Sequence, residues 1–378
     1  MQQIDLREQR GQAIAQVEGQ ITRLDEHAYT VRSQSGNGEY ELLSTELGWI
    51  CSCADHIYRG VKCKHLWAVE YSQKLRDTVA RQVVIQSLDT QTCIFCQSNQ
   101  IIKKSIRHNK SGDLQRYLCK SCNKRFSYNI GVEGMKANPQ VITSALQLYF
   151  TGESLRNVQK FLRLQGVNIS HQTVYNWIGK YVRLMQNYLE QIKPSVSDTW
   201  RADELYVKIK GDMKYLFAIM DDQTRFWIAQ QITDRKGTSD VRPLFKEARD
   251  VAGKKPKVLI TDGALNFAEA NIKEYWTRYK DDRTEHIRDI RFNGSIHNNK
   301  MERMNGEVRD REKVMRGLKK KNTPILKGYQ LFHNFIREHE ALNGKTPAEA
   351  CGIKVEGSNK WRTIIENASQ GPTFDRES

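Results

Sequence analysis

Three acidic residues in the second half of the chain lie where a carboxylate could do chemistry. Asp203 shares the parity of the apolar residues in the alternating stretch WRADELYVKIKG, Asp262 ends the apolar run VLITD, and Glu302 lies on a helical pattern. A carboxylate on the apolar face of a strand needs a partner cation or a function. Clustered carboxylates suit Mg²⁺, and two such ions can activate the attacking oxygen and stabilise the leaving oxygen of a phosphodiester displacement. We therefore predict that these three residues bind Mg²⁺ or Mn²⁺.

The order of elements around the acids predicts how they meet. After the linker KPSVSD, three stretches with strand character follow one another across the short turns KGDM and DDQT. A helix, a short buried strand ending at Asp262, a second helix, a possible strand EHIRDIRF and the helix with Glu302 come next. This is the order of an RNase H-like domain, in which the two Asp-bearing strand ends are neighbours. Asp221 and Asp222 are rival acids, but they lie in a tight turn, where Asp is common.

Seven of the eight cysteines fall between Cys51 and Cys122, and their close pairing favours metal binding over a disulfide framework. The first set is Cys51, Cys53, Cys63 and His65, which offers three thiolates and one imidazole to Zn²⁺. A predicted hairpin around SGNG precedes it and a predicted helix follows it. The arrangement resembles the SWIM zinc finger. The alternative is that Cys51 and Cys53 are ordinary buried cysteines.

The second set has the C-x₂-C…C-x₂-C spacing of a zinc ribbon, and its members are Cys93, Cys96, Cys119 and Cys122. A hairpin that turns at NKSGD is predicted between the two pairs. The segment from Gln97 to Tyr128 contains one acid, Asp113, and eight basic residues: Lys103, Lys104, Arg107, Lys110, Arg116, Lys120, Lys124 and Arg125. We predict that Lys103 and Lys104 belong to a surface that contacts phosphates, although a ribbon can also be a simple scaffold. The two cysteine sets together predict two Zn²⁺ ions.

Two short amphipathic helices follow the second cysteine set. Ser154 can cap the first, Gly166 breaks it, and Ser170 can open the second. This pattern predicts a helix-turn-helix, although a plain helical hairpin is an alternative. In a helix-turn-helix, four residues at the start of the second helix would enter the major groove: His171, Gln172, Tyr175 and Asn176.

Charge and composition point to nucleic acid. The 378 residues include 60 Lys and Arg against 44 Asp and Glu, a net charge of +16, which favours a polyanion over other partners. No apolar run approaches the ~20 residues that span a bilayer, and the polar N-terminus is not a signal peptide. We expect a cytoplasmic protein without membrane contact, associated with the nucleoid in a prokaryotic host.

These patterns predict a multidomain α/β protein. The expected units are a SWIM-like finger (1–85), a zinc ribbon (88–130), a helix-turn-helix domain (138–192), an RNase H-like domain (197–350) and a polar tail (351–378).

The region from Trp200 to Gly352 resembles the DDE transposases of bacterial and archaeal insertion sequences, in particular the integrase-like group in the insertion-sequence family numbered six. The pieces that carry the resemblance are WRADELYVKIKG, YLFAIMDDQTRFWIA, VLITDG, NNKMERMNGEVRDREKVMRGLK and TPAEACG. The resemblance implies that Asp203, Asp262 and Glu302 are metal ligands. It also places Arg309 where the family has a Lys or Arg that contacts DNA. SWIM fingers occur with mutator-like transposases, usually after the catalytic core.

The resemblance implies a polynucleotidyl transferase that acts on double-stranded DNA, namely the terminal repeats of its element and target DNA. A protein that holds two DNA ends is expected to be a homodimer or a larger assembly. Arg316 lies with Arg309 in a basic run beside the acids and is predicted to guide the phosphate backbone. Two alternatives stay open: a transposase-derived DNA-binding regulator without catalysis, and an RNase H-like nuclease that only hydrolyses.

Overall fold

A computed structural model of the protein describes most of the chain. The described ranges are 6–17, 19–24, 27–34, 36, 38–45, 48–79, 83–87, 92–128, 137–288, 298–315, 318, 320–321 and 323–370.

The first cysteine set lies in an N-terminal module built on a four-stranded antiparallel sheet. Its strands, in spatial and chain order, are β1 (Ile21–Arg23), β2 (Ala28–Arg32), β3 (Glu39–Thr45) and β4 (Gly48–Cys51). Its helices are α1 (Leu6–Ala15), α2 (Ala54–Arg59) and α3 (Lys64–Val79). The predicted hairpin is present as β2 and β3, and the predicted helix after His65 is α3. Ile14, Tyr29, Val31 and Leu42 pack with the cysteines in one buried cluster.

The second cysteine set lies in a three-stranded sheet. After β5 (Val83–Ile85), the chain forms β6 (Ile101–Arg107), β7 (Leu114–Cys119) and β8 (Arg125–Phe126), which pair in that order. The antiparallel β6–β7 pair confirms the hairpin predicted around NKSGD. Few apolar residues are buried here, since the cluster consists of Cys93, Cys119 and Phe126 with a few partly buried neighbours.

Three helices follow: α4 (Pro139–Thr151), α5 (Leu155–Leu164) and α6 (His171–Leu189). Ser154 accepts a hydrogen bond from the main-chain N–H of Asn157, and Ser170 accepts one from Thr173, each at 3.1 Å. Both predicted caps are therefore confirmed, and the turn passes through Gly166 at φ 78°. Although α6 has 19 residues, no helix in the described ranges is long and apolar enough to cross a bilayer.

The acidic residues lie on a five-stranded central sheet and the helix beside it. The elements are β9 (Thr199–Ile209), β10 (Asp212–Asp221), β11 (Trp227–Thr233), α7 (Thr238–Ala252), β12 (Val258–Thr261), α8 (Leu265–Tyr275), β13 (Glu285–Arg288) and α9 (Asn299–Met315). The spatial strand order is β11-β10-β9-β12-β13. Strands β9 to β11 pair antiparallel, whereas β12 is parallel to both β9 and β13. This is the RNase H-like arrangement predicted from the element order.

The expectation of a polar tail from residue 351 is wrong for residues 351–370. After α10 (Pro324–Leu331), a π-helical turn (Phe332–Ile336) and α11 (Pro347–Ala350), the chain forms β14 (Ile353–Val355) and α12 (Lys360–Gln370). Strand β14 pairs in parallel with β5, and Trp361, Ile364 and Ile365 are buried. The segment is polar overall, but α12 is an amphipathic helix. Its apolar residues join the core that runs through α4–α6 and the central sheet.

Candidate active site and metal-binding clusters

Asp203 and Asp262 lie at the same level on neighbouring parallel strands. Ile260 is the register partner of Arg201, so the residues two positions further on, Asp262 and Asp203, face each other just beyond the last paired position. Successive residues of a strand alternate between faces, so both acids lie on the face of Arg201. The buried residues Leu205 and Val207 share the parity of Asp203. The prediction that the two Asp-bearing strands are neighbours is confirmed, although Asp203 lies within β9 and only Asp262 lies at a strand end.

Helix α9 lies along β9 and carries Glu302 to this point. Asn305 donates a hydrogen bond from Nδ2 to Oδ2 of Asp203 at 2.7 Å. Further along, the main-chain N–H of Lys208 donates to Glu312, and Leu318 forms a bridge with Ile209. Glu302 lies three residues before Asn305, almost one helical turn away, so its side chain lies on the same side of the helix. The buried Met301, Met304 and Val308 hold the other side of α9 against the core.

Burial and the neighbouring acids together raise the pKa of the Asp203 carboxyl group. Burial raises its pKa to about 7, and the negative charges of Asp262, Glu204 and Glu302 contribute to the same shift, against a lowering hydrogen bond from the main-chain N–H of Glu204. Like charges that repel one another in this way are relieved when a cation binds between them. The site therefore favours either a proton or a metal ion at neutral pH.

The three carboxylates approach one another without forming a closed cage. In the part of the chain that the structure describes, only the two cysteine sets bring all their ligand atoms within 4.8 Å of one another. Asp262 and Glu302 are exposed, and Asp203 is half-buried. Oxygen donors that are open to solvent on one side suit Mg²⁺, which keeps several of its water molecules when it binds. The donor set therefore fits a divalent cation that is shared with a ligand.

Sequence patterns did not single out Asn305, which holds one oxygen of Asp203. Asn305 is buried, and its own Oδ1 has no hydrogen-bond partner in the structure. The sequence feature that could have identified Asn305 is its position three residues after Glu302, which places it on the same polar face of the helix. Its effect is to fix the orientation of the Asp203 carboxylate.

Asp221 and Asp222 lie at the turn after β10, as predicted, but both are fully buried. Asp221 accepts hydrogen bonds from Ser197 and Thr224, an arrangement that stabilises the turn itself. Asp222 forms ion pairs with Arg201 and Lys300. Neither of these aspartates is placed among the three acids of the site.

The ligand atoms of each cysteine set lie close enough together to share one metal ion. A Zn–S bond of about 2.3 Å implies that two ligands of one tetrahedral ion lie about 3.8 Å apart. The Sγ atoms of Cys93 and Cys122 lie 3.6 Å apart, as do those of Cys96 and Cys119. In the first set, His65 Nδ1 lies 3.7 Å from Cys51 Sγ and 4.0 Å from Cys63 Sγ. A hydrogen bond from Cys51 lowers the pKa of Cys63 to about 3, so this set already favours the thiolate that a metal ion needs.

The residues predicted to contact DNA lie mostly on the surface. His171, Gln172 and Asn176 are exposed in the first two turns of α6, and Tyr175 is partly buried against the core. The remaining four residues lie elsewhere. Lys103 and Lys104 are exposed on β6, Arg309 is exposed on α9, and Arg316 lies outside the described residues.

A family model described as a DDE domain, of the IS240 transposase type, matches residues 197–339. The match begins just before β9 and extends past α10, so it covers the three acids and the helix that carries Glu302. The matched residues therefore coincide with the RNase H-like sheet and its helices.

Several known proteins are similar to part of this chain. A transposase for the insertion sequence-like element IS431mec of Staphylococcus aureus is 31% identical over 140 residues, which cover 36% of this chain and 60% of that protein. A transposase for the element IS257 in transposon Tn4003, also from Staphylococcus aureus, has the same values. An uncharacterized 48.3 kDa protein of the insertion element ISM1 from Methanobrevibacter smithii is 27% identical over 192 residues, 46% of this chain and 45% of that protein. The chain thus matches 60% of the length of the two staphylococcal relatives and 45% of that of the third.

Among solved structures, the catalytic core domain of the HTLV-2 integrase in complex with magnesium is 17% identical. The match covers 42% of this chain and 98% of that one, with a TM-score of 0.32.

Proposed function

We propose that this chain is a DDE-type DNA transposase that binds the ends of its mobile element and joins them to target DNA. One observation carries the proposal: Asp203 and Asp262 lie level on adjacent strands of an RNase H-like sheet, with the helix of Glu302 alongside. The match of residues 197–339 to a DDE domain and the similarity to staphylococcal transposases support it.

Asp203, Asp262 and Glu302 would hold the divalent cation, Mg²⁺ or Mn²⁺. When bound, the ions would activate the attacking oxygen and stabilise the leaving oxygen. Asn305 would keep the Asp203 carboxylate turned toward the site through the bond to its Oδ2. Hydrolysis at the element end would free a 3′-hydroxyl. Its oxygen would then form a new bond to a target phosphorus, while the target P–O3′ bond breaks and the released oxygen takes up a proton.

The N-terminal modules and the helix-turn-helix would grip the double-stranded ends of the element. The exposed start of α6 is where a recognition helix contacts base edges, and the basic face of β6 and β7 would contact phosphates. Two Zn²⁺ ions would complete the cysteine sets. Since transposition joins two ends, we expect a homodimer or a larger assembly on DNA.

The proposal is tested by strand transfer in vitro. Purified full-length protein with Mg²⁺, a target plasmid and labelled DNA from the regions flanking its own gene is compared with a Glu302→Gln variant. Asp310→Asn is the matched control, because Asp310 lies on the same helix and pairs only with the nearby, exposed Lys313 among its described ion-pair contacts. We expect joined products from the wild type and from Asp310→Asn, and none from Glu302→Gln.

Two other outcomes would replace the proposal. Binding to the flanking DNA without any cleavage, equal for the wild type and Glu302→Gln, would indicate a regulator. Cleavage that depends on Glu302 but never yields joined products would indicate a nuclease.

A further inference from the structure

Lys300 lies in the first turn of α9, two residues before Glu302. Its Nζ lies 2.9 Å from Oδ1 of Asp222 and 3.0 Å from the main-chain oxygen of the same residue. The N-terminal end of a helix carries a partial positive charge, so a cation in the first turn is unfavourable there. The side chain is also only 11% exposed. Helix propensity therefore does not explain this lysine, whereas its two contacts with Asp222 do.

Asp222 connects Lys300 to the strand that bears Asp203. Its Oδ1 also accepts a hydrogen bond from Nε of Arg201 at 2.5 Å, and Arg201 precedes Asp203 by two residues on the same face of β9. Burial alone would raise the pKa of Asp222, but Lys300 and Arg201 outweigh burial and hold the pKa below its usual value. A single buried, ionised carboxylate thus bonds both to the strand of one acid and to the helix of another.

Besides the packing of the buried Met301 and Met304 against the core, polar contacts hold the first turns of α9. Residues 289–297, which join β13 to α9, are outside the described residues, and the next described contact of α9 with β9 is that of Asn305 with Asp203. Glu302 lies between these two points of attachment. The distance between Glu302 and Asp203 therefore depends on both the Lys300–Asp222 contact and the Asn305–Asp203 hydrogen bond. Lys300 lies two residues from Glu302 in the chain, and Asn305 lies three.

We propose that Arg201, Asp222 and Lys300 form a positioning cluster that sets the place of Glu302 relative to Asp203 and thereby the affinity of the site for its divalent cation. None of the three contacts the reacting atoms. The proposal rests on the proposed function for the role of the cation, but its central measurement, cation affinity, does not need strand transfer.

The charges of the cluster identify the variant that tests it. Two cations share one anion, so Lys300→Met leaves a balanced Arg201–Asp222 pair in the interior. Asp222→Asn would instead remove the negative charge that both buried cations contact, a change expected to disrupt folding. Lys300→Met therefore tests the position of Glu302 without disrupting the fold. Lys300→Arg restores the positive charge at the same place.

Lys360→Met is the matched control. Lys360 is the first residue of α12, is 16% exposed and pairs with Glu338 and Glu349, so it is likewise a mostly buried cation in the first turn of a helix. It lies on an element that carries none of the three acids. Lys360→Met therefore shows how the removal of a mostly buried lysine and its ion pairs affects cation binding in general.

The experiment measures Mn²⁺ binding to zinc-loaded full-length protein by electron paramagnetic resonance, together with the Mg²⁺ concentration that gives half-maximal strand transfer. Glu302→Gln defines the signal from binding outside the site. We expect Lys300→Met to weaken Mn²⁺ binding and to raise the half-maximal Mg²⁺ concentration, each by about tenfold, with end-DNA binding unchanged. Lys300→Arg should recover most of the loss, and Lys360→Met should resemble the wild type.

The proposal would be overturned if Lys300→Met bound Mn²⁺ as tightly as the wild type. It would also be overturned if Lys360→Met lost as much Mn²⁺ affinity as Lys300→Met. If the wild type itself gives no strand transfer under any condition, the proposed function fails, but the Mn²⁺ affinities still decide the role of the cluster.

Discussion

Arg311 joins the helix that carries Glu302 to the helix-turn-helix unit through Tyr149. Its Nη2 donates a hydrogen bond to the main-chain oxygen of Tyr149 in the last turn of α4, and its guanidinium carbon lies 5.1 Å from the centre of the Tyr149 ring. Carbonyl oxygens at the end of a helix lack helical partners, and the end carries a partial negative charge. Arg311 is buried, so α4 and α9 meet through a desolvated cation.

Replacing Arg311 by methionine is expected to lower the free energy of unfolding by about 1–3 kcal/mol, because a charge-assisted hydrogen bond and a cation–π contact are lost. Arg311→Lys should recover only part of this, since a single ammonium cannot reproduce the planar stacking on Tyr149. Chemical denaturation measures both. Arg362→Met, which removes a partly buried pair with Glu366 one turn away on α12, is the control and should change stability by less than about 1 kcal/mol. Equal effects of Arg311→Met and Arg362→Met would show that the contact does not join the two units.

The raised pKa of Asp203 predicts how pH affects the protein in Mg²⁺-free buffer. Because this pKa is about 7 in the folded state, compared with 3.8 as its ordinary value, the folded state binds the extra proton between pH 4 and pH 7. The stability contributed by this group is therefore lost as the pH rises through that window. Asp203→Asn should be more stable than the wild type at pH 8, by at most about 4 kcal/mol, and equally stable at pH 4.

Thermal melts at both pH values test this, with and without Mg²⁺. The added ion should stabilise the wild type at pH 8 and leave Asp203→Asn nearly unchanged, because the variant lacks one of the ligands. A wild type that is insensitive to Mg²⁺ at pH 8, with no gain from Asp203→Asn, would contradict the close approach of the three acids.

The two cysteine sets should differ in their dependence on zinc. Around the second set, the buried cluster is limited to Cys93, Cys119 and Phe126, whereas the first set is packed with Ile14, Tyr29 and other apolar residues. A module with so small a core depends on its metal for folding. Metal analysis should find two Zn²⁺ per chain in the wild type and one in either Cys63→Ser or Cys119→Ser.

Hydrogen exchange followed by mass spectrometry distinguishes the modules. Cys119→Ser should abolish protection throughout residues 93–126, while Cys63→Ser should leave part of the protection of β2 and β3. Full protection of residues 93–126 in Cys119→Ser would mean that zinc is not what holds that sheet together.

Trp361 should contribute strongly to stability. It is 3% exposed, its ring stacks on those of Phe150 and Phe332, and its Nε1 donates to Gln147 at 2.7 Å. Trp361→Ala is expected to cost about 3–5 kcal/mol, the range for large aromatic side chains removed from a core. A stop after Gln370 is the control, because it removes none of the contacts that the structure describes. A loss below about 1 kcal/mol in Trp361→Ala would show that α12 is dispensable.

The sequence predicted those parts of the protein that depend on local pattern. Parity placed Asp203 on the buried face of its strand, the cysteine spacings predicted which residues come together in the two clusters, and Ser154 and Ser170 marked the helix starts. The tail was missed although Trp361, Ile364 and Ile365 recur at helical spacing, because overall polarity was given more weight than periodicity. The pairing of Lys300 with Asp222 could not be predicted. The two residues are far apart in the chain, and either alone is an ordinary surface charge by type.

The parallel pairing of β5 with β14 also sets an order of events during synthesis. Val83 pairs with Ile353, whose position in the chain is 270 residues later (353 − 83 = 270). At about 5–20 residues per second, β5 waits roughly 15–55 s on the ribosome for its partner. The N-terminal module and the module around the second cysteine set can fold in that interval, but the strand between them gains its partner only after residues 353–355 have emerged. The relative placement of the first modules is therefore among the last features of the protein to form.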